Sequence, residues 1–213
     1  MKDNRVLLGF SGGIDSFAAV GLLQAAGYHV TALTLDMRGD SALLEKARLR
    51  AGTLGIPWRM RSVRERFERE VVDYFTDSYF RGRTPAPCTR CNSRIKWPCL
   101  AAEADALGIR YIATGHYFRI TSAGGKRYVT RAADNRKDQS YYLWDLPQEI
   151  LDRVLTPMGT VIKRNIVEEL ADRRESMGVC FFEGRPCRDF LRSRDKTEAL
   201  RPGPIIDSAG HRL

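Results

Sequence analysis

Two groups of residues in this sequence have types and spacings that suit chemistry. The first is Ser11-Gly12-Gly13-Ile14-Asp15-Ser16. Paired glycines can take positive φ and let the backbone approach a ligand closely. Consecutive N–H groups there, with a helix N-terminus behind them, make an anion cradle, and Ser11 and Ser16 add hydroxyl donors. Asp15 is out of place beside a phosphate unless a Mg²⁺ ion bridges the two. The plainer alternative is that Asp15 and Ser16 only cap the helix. The loop lacks the Gly-Lys-Ser/Thr of a Walker A motif and is not GxGxxG.

The second group is the cysteines, at positions 88, 91, 99, 180 and 187. Their number is odd and no export signal precedes them, which argues against a structural disulfide framework. Cys88 and Cys91 lie in Thr84-Pro85-Ala86-Pro87-Cys88-Thr89-Arg90-Cys91-Asn92. A zinc pair would need two further ligands, and Cys180 and Cys187 are spaced too widely for the usual second pair. A thioredoxin-like dithiol expects another fold context, which leaves a reactive thiol in a basic loop as the third reading. Arg83, Arg90, Arg94 and Lys96 would stabilise a thiolate there. Cys99, beside Leu100 and Ala101, reads as core, and Cys187 as a spare thiol.

These residues need a frame. Positions 5–10 read as a buried strand, 17–26 as a helix stopped by Gly27, and 29–36 as the next strand. Ser41 can cap a helix to about position 54, and 57–62 is a possible third strand. Val63, Phe67, Val71, Phe75 and Tyr79 recur every four residues, one apolar face of a helix. Positions 81–87 are a loop, after which a helix starts near Pro98, because proline is tolerated only in a first turn. A short strand at 110–114, a hairpin at 117–120 and 126–131, and helices near 139–155 and 160–174 complete the reading. Strands alternating with helices predict an α/β fold, a parallel sheet with helices on both faces. Ligands then bind at the carboxyl ends of the strands, where the glycine loop lies.

Composition sets broad limits. Lys plus Arg number 35 against 26 Asp plus Glu, a net charge of +9, which favours polyanionic partners. No apolar run is long enough to span a membrane, and the N-terminus lacks a signal-peptide core, so a cytoplasmic setting without a membrane partner is expected. His29 reads as structural, His116 as either structural or lining the nucleotide site, and Trp58, Trp97 and Trp144 as core or interface.

The loop 11–16 resembles the SGGxDS pyrophosphate loop of the N-type ATP pyrophosphatases, which cleave ATP between the α and β phosphates. Other segments are similar to the bacterial tRNA-specific 2-thiouridylases: the 84–97 stretch ending Ile95-Lys96-Trp97, Ala113-Thr114-Gly115-His116-Tyr117, Lys137-Asp138-Gln139-Ser140-Tyr141-Tyr142-Leu143, Glu175-Ser176-Met177-Gly178-Val179-Cys180-Phe181-Phe182, and Gly203-Pro204-Ile205-Ile206-Asp207. The resemblance implies that Gly9, Phe10, Ser11, Gly12, Gly13, Ile14, Asp15 and Ser16 hold ATP, with Leu35 at the adenine and Gly115 as a further nucleotide contact. It implies Cys91 as nucleophile and Cys180 as the persulfide carrier, closing a Cys91–Cys180 disulfide, with Lys137, Asp138 and Gln139 against tRNA. A uridine in the tRNA anticodon loop would be adenylated at C2 and its oxygen replaced by sulfur. The sulfur donor would be a cysteine desulfurase or a sulfur relay protein.

Many of those enzymes have Asp where this chain has Cys88. Cys88, Cys91 and Cys180 could then ligate an iron–sulfur cluster, in place of a persulfide. Pro98 also departs from the family pattern. The expected division is 1–150 for the pyrophosphatase domain, 151–200 for a helical extension with the second cysteine, and 201–213 for the start of a linker. The family continues into a β-rich domain, so a chain that stops at Leu213 is expected to bind ATP but grip tRNA weakly. Two other functions stay open here: a pyrophosphatase acting on a small metabolite, and a binding fragment without turnover.

Overall fold

The computed structural model describes residues 4–170, 178–195 and 203–213. Its strands are β1 (Arg5–Gly9), β2 (His29–Asp36), β3 (Trp58–Ser62), β4 (Tyr111–Thr114), β5 (Arg119–Ala123), β6 (Lys126–Thr130) and β7 (Val154–Leu155). Five of them form a parallel sheet in the order β3-β2-β1-β4-β7, while β5 and β6 pair as a separate antiparallel hairpin. Helix α1 (Ile14–Ala25) carries the chain from β1 to β2, and α2 (Ser41–Thr53) from β2 to β3. Parallel neighbours require such crossovers. The chain then returns to lay β4 on the other side of β1. Strand order therefore reverses at β1, and a crevice opens between the carboxyl ends of β1 and β4.

Strand β1 shows why both faces carry helices. Val6, Leu7 and Leu8 are all fully buried, and successive side chains point to opposite faces. Val6 and Leu8 join Ala19, Val20 and Leu23 of α1, while Leu7 joins Trp97, Leu100 and Ile112 on the other side. The cap of α2 is Asp40 rather than Ser41, for the Asp40 carboxylate accepts the Leu43 N–H at 2.9 Å.

Two other expectations are corrected. The helix read as starting near Pro98 starts at Pro87. It runs through α5 (Pro87–Cys91), a π-helical turn at Asn92–Lys96 and α6 (Trp97–Ala106) without interruption. Pro98 supplies a physical cause. Its ring has no N–H and would clash with the carbonyl four residues back, and a widened turn relieves the clash. Trp97 N–H bonds instead to the Asn92 carbonyl, five residues back. The earlier helix has the same form: α3 (Arg64–Phe67), a π stretch at Glu68–Asp73, then α4 (Tyr74–Phe80).

Positions 139–155 hold no long helix. A 3-10 turn at Ser140–Tyr142, the short α7 (Gln148–Leu151) and β7 occupy them, because Pro147 bars its predecessor from helix and starts α7 afresh. The helix read near 160–174 is present as α8 (Lys163–Leu170), and positions 171–174 lie outside the described residues. A third apolar cluster joins Phe67, Phe75, Cys91 and Ile95 to Phe181 in the 3-10 turn Cys180–Phe182 and to Phe190 in α9 (Cys187–Arg194). That cluster draws the second cysteine segment against the first.

Candidate active site

The loop between β1 and α1 lies at the reversal point. Gly12 has φ +70°, and a Cβ there would come within 2.8 Å of the Ala47 Cα in α2. Arg50 of α2 donates to the Gly12 carbonyl at 2.7 Å. Glycine is thus required both for the conformation and for the approach of α2. Ser11 Oγ accepts the Gly13 N–H at 3.3 Å and lies 3.3 Å from Ser16 Oγ. Ser16 Oγ donates to the Gly13 carbonyl at 2.9 Å. The helix cap is Gly13, without a side-chain cap, so Asp15 and Ser16 do not cap α1. Gly115 closes on the first turn of α1: a Cβ on Gly115 would lie 2.8 Å from Ser16 N. The loop and Gly115, a hundred positions apart, are thereby brought together. Leu35 sits half-buried near the end of β2.

Asp15 is engaged by two residues that sequence reasoning missed. Lys163 Nζ, 8% exposed, lies 2.6 and 2.7 Å from the two carboxylate oxygens, and the Tyr117 hydroxyl donates to Oδ1 at 2.8 Å. Lys163 also stands 5.7 Å from the centre of the Tyr117 ring. Its own N–H bonds Asp134 at 2.9 Å. A lysine in the first turn of a helix opposes the helix dipole. That misplacement at the start of α8 was the available signal that a carboxylate waits nearby. With both Asp15 oxygens so committed, the donor set does not fit a resident Mg²⁺.

On the far lip, Cys91 is buried in the third cluster, Cys88 is half-buried and Cys180 is exposed. Burial pushes the Cys91 thiol up to about 11, and Lys96 pulls against it, with Cys180 and Cys88 adding to the rise. Cys88 is raised for the same reason, with the same opposition from Lys96 and the same addition from Cys180. Cys91 and Cys180, the two cysteines the resemblance pairs, therefore share one neighbourhood. The Cys180 carbonyl accepts from Arg38 at 2.5 Å, which ties this turn to the carboxyl end of β2. Asp36 holds that end together. Burial raises its carboxyl, but the Arg64 side chain and the Gly39 and Arg38 N–H groups outweigh burial and keep it ionised below the usual range.

Of the four basic residues expected at Cys91, only Lys96 acts on it. Arg90 stacks over Tyr74 at 4.5 Å and bonds Glu70. Lys96 acts on the thiol electrostatically from the end of the π turn that begins just after Cys91. His116 is held neutral: burial first, then Lys96, depresses it to about 3, and Thr114 Oγ1 lies 2.8 Å from its Nδ1.

No group of three or more His, Cys, Asp or Glu among the described residues is gathered to hold a metal ion. Cys88, Cys91 and Cys180 are accordingly not drawn around a single ion, although the thiols act on one another electrostatically. Cys99 packs in the core as expected, 3.8 Å from Arg66 Nη1, and Cys187 is half-buried beside Tyr79.

Asp138 and Gln139 hold their own loop. Asp138 accepts from Ala132 N–H at 2.7 Å and Ser140 Oγ at 2.6 Å. Gln139 accepts the Tyr117 N–H at 3.0 Å, and its own N–H donates to the Tyr117 carbonyl at 2.8 Å. Lys137 lies half-buried one residue before them. Trp97 is core and Trp58 donates to Thr34 Oγ1 at 2.9 Å, while Trp144 is 67% exposed, which rules out core and leaves the interface reading. Glu175, Ser176 and Met177 lie outside the described residues. No helix among the described residues is long and apolar enough to cross a membrane.

Residues 4–184 match the tRNA methyl transferase HUP domain family. The chain belongs to this family. Among relatives of this HUP domain, a tRNA-specific 2-thiouridylase, MnmA, of Phocaeicola vulgatus is 42% identical over 99% of the chain and 63% of its own length. One of Bacteroides fragilis is 46% identical over 84% of the chain and 52% of its own length. One of Carboxydothermus hydrogenoformans is 38% identical over 98% and 63%. The HUP domain chain thus spans between about half and just under two thirds of these relatives. Among solved structures, a predicted subunit of tRNA methyltransferase from Methanocaldococcus jannaschii superposes with a TM-score of 0.55 at 17% identity, covering 93% of this chain and 92% of that one. It shares the fold.

Proposed function

We propose that this chain is the nucleotide- and cysteine-bearing part of a tRNA uridine 2-sulfurtransferase. The observation that carries the proposal is the meeting of an anion loop at the sheet's reversal point with Cys91 and Cys180 on one lip of the same end. ATP lies with its phosphates on the 9–16 loop and its adenine near Leu35, and brings any Mg²⁺ with it. The uridine C2 oxygen attacks the α-phosphate and pyrophosphate leaves. The loop N–H groups and Lys163 offset the charge that builds on the phosphates.

Adenylation makes the C2 oxygen a good leaving group. A persulfide on Cys180, loaded by a cysteine desulfurase or sulfur relay protein, attacks C2 through its outer sulfur, and AMP departs with the oxygen. The Cys91 thiolate then attacks the Cys180 sulfur. The S–S bond to the base breaks with its electron pair on the thiouridine sulfur, and a Cys91–Cys180 disulfide forms. An external dithiol returns two electrons and two protons to reset the pair. Exposure of Cys180 suits loading by a partner, and burial of Cys91 suits a thiol shielded from other electrophiles. A reducing cytoplasm would supply the reductant. The exposed Cys180 beside the buried Cys91 is what favours the persulfide route here.

The test is ATP–pyrophosphate exchange and AMP release with and without tRNA. Exchange that depends on tRNA is expected, with no stimulation by amino acids or ammonia. Cys91→Ser and Cys180→Ser should each keep exchange within about threefold and lower 2-thiouridine formation by roughly 10³-fold, since each removes a covalent step and not nucleotide binding. Exchange driven by a small metabolite in the absence of RNA would refute the proposal.

A further inference from the structure

The turn at Ser140–Tyr142 and the residues after it carry an unusual surface. Leu143 and Leu146 are buried with Leu100, Ile112 and Ile150, which pins the turn to the sheet. Between and before those anchors, Tyr141 is 71% exposed, Trp144 67% and Tyr142 38%. The Tyr141 and Tyr142 rings meet edge to face at 6.0 Å. The turn packs against α5, the helix that ends in Cys91, and its leading residue Gln139 is bonded to Tyr117 beside the crevice. Three neighbouring aromatics left in water, on the lip of the site, call for a partner.

The chemistry around them selects that partner. Between Met60 and Ile162 every exposed large apolar side chain is aromatic, among them Tyr128 of the neighbouring hairpin. A protein partner would ordinarily meet aliphatic side chains as well, whereas a nucleobase needs only ring faces. The segment leading to the turn carries Lys126, Arg127, Arg131, Arg136 and Lys137. Its carboxylates Asp134 and Asp138 are turned onto backbone N–H groups. Ring faces beside basic side chains are the combination used to hold single-stranded nucleic acid.

We propose that Tyr141 and Trp144 form a stacking shelf for an unpaired base of the RNA, next to the uridine that reacts. The inference rests on the tRNA reading above and adds to it the surface that holds the loop open. The shelf gives sequence-tolerant affinity, because every base offers a ring face, and it leaves phosphate contacts to the basic segment.

Trp144 makes the test direct, since Trp97 is buried and Trp58 is partly buried and hydrogen-bonded. Titrating the whole chain with an anticodon stem-loop RNA should quench tryptophan emission, and Trp144→Phe should abolish the quench while binding stays within about threefold. Trp144→Ala with Tyr141→Ala should weaken binding by about five- to a hundredfold without changing the slope of log Kd against log salt. Abasic substitution along the loop should locate one nucleotide whose removal makes that double variant no worse than native. ATP affinity serves as the check on folding, and the Trp144→Phe result stands even if the double variant misfolds. Unchanged RNA affinity in a folded double variant, a quench that survives Trp144→Phe, or no coupled nucleotide would overturn the shelf while leaving the sulfurtransferase reading in place. Absence of any RNA binding by the native chain at low salt would overturn both.

Discussion

Gly115→Ala should lower the affinity of this chain for ATP by about thirtyfold or more, the equivalent of about 2 kcal/mol. The added Cβ would sit 2.8 Å from Ser16 N, 3.0 Å from the Asp15 carbonyl carbon and 3.1 Å from Ser16 Cα. All three are backbone atoms, so no rotamer change can relieve the contact. The methyl group would lie directly over a first-turn N–H of α1, one of the donors that a phosphate requires. Two costs then act together. Separating β4 from α1 costs about 1–3 kcal/mol of stability as overpacking. The nucleotide also loses a donor on the cradle and the close fit of the crevice. Gly21→Ala is the matched control. It lies within α1, has nothing within 4 Å of the added Cβ, and should be neutral or stabilise by up to about 1 kcal/mol through helix propensity. Calorimetric titration of both variants with ATP reads the difference. ATP affinity within threefold of native in folded Gly115→Ala would mean that the nucleotide does not use this crevice.

The parts of the site that were legible in the sequence are those whose chemistry is local. Gly12, Gly13 and the flanking serines announce an anion loop because glycine torsions and hydroxyl donors act within a few residues. The apolar run of β1 announces a strand buried on both faces. The reach of Lys163 to Asp15, 148 positions away, has no local signature beyond a lysine at the wrong end of a helix. The long α5–α6 helix was misread for a related reason. Proline is judged against α geometry, and the π turn that accommodates Pro98 is a tertiary solution in which Asn92, Ile95 and Trp97 are buried. The short β7 escaped detection because two residues carry no periodicity, and parallel pairing with β4 alone makes them a strand. Whether Trp144 belonged to the core or to an interface was not legible, because hydropathy says nothing of which aromatics a fold leaves outside.

The same π turn sets up the second large effect. Lys96→Met should slow sulfur transfer at pH 7.5 by about tenfold or more and leave tRNA-dependent ATP–pyrophosphate exchange nearly intact. In the proposed transfer Cys91 must ionise to attack, and burial opposes that, lifting the thiol to about 11. At pH 7.5 the thiolate is then only about 3 in 10⁴ of the population, by the ordinary titration relation. Lys96 is the residue that lowers this barrier. Its removal lifts the thiol further, and a rise of one unit is a tenfold loss of thiolate.

The sign fixes the profile. The reactive form is the deprotonated one, so the transfer rate should climb about tenfold per pH unit from 6 to 9 and bend only toward 11. His116, held near 3 by burial and Lys96, should contribute no acidic limb in that range. Stability follows the opposite course: a thiol buried neutral favours the folded state below its unfolded value near 9, and that contribution is lost as the pH rises through about 11. Lys96→Arg keeps the charge and should restore most of the rate. The alkylation rate of Cys91 against pH, followed by peptide mass spectrometry, reports the same ionisation without any tRNA. Equal alkylation profiles for native chain and Lys96→Met would remove Lys96 from the chemistry and leave the widened turn as an accommodation of Pro98 alone.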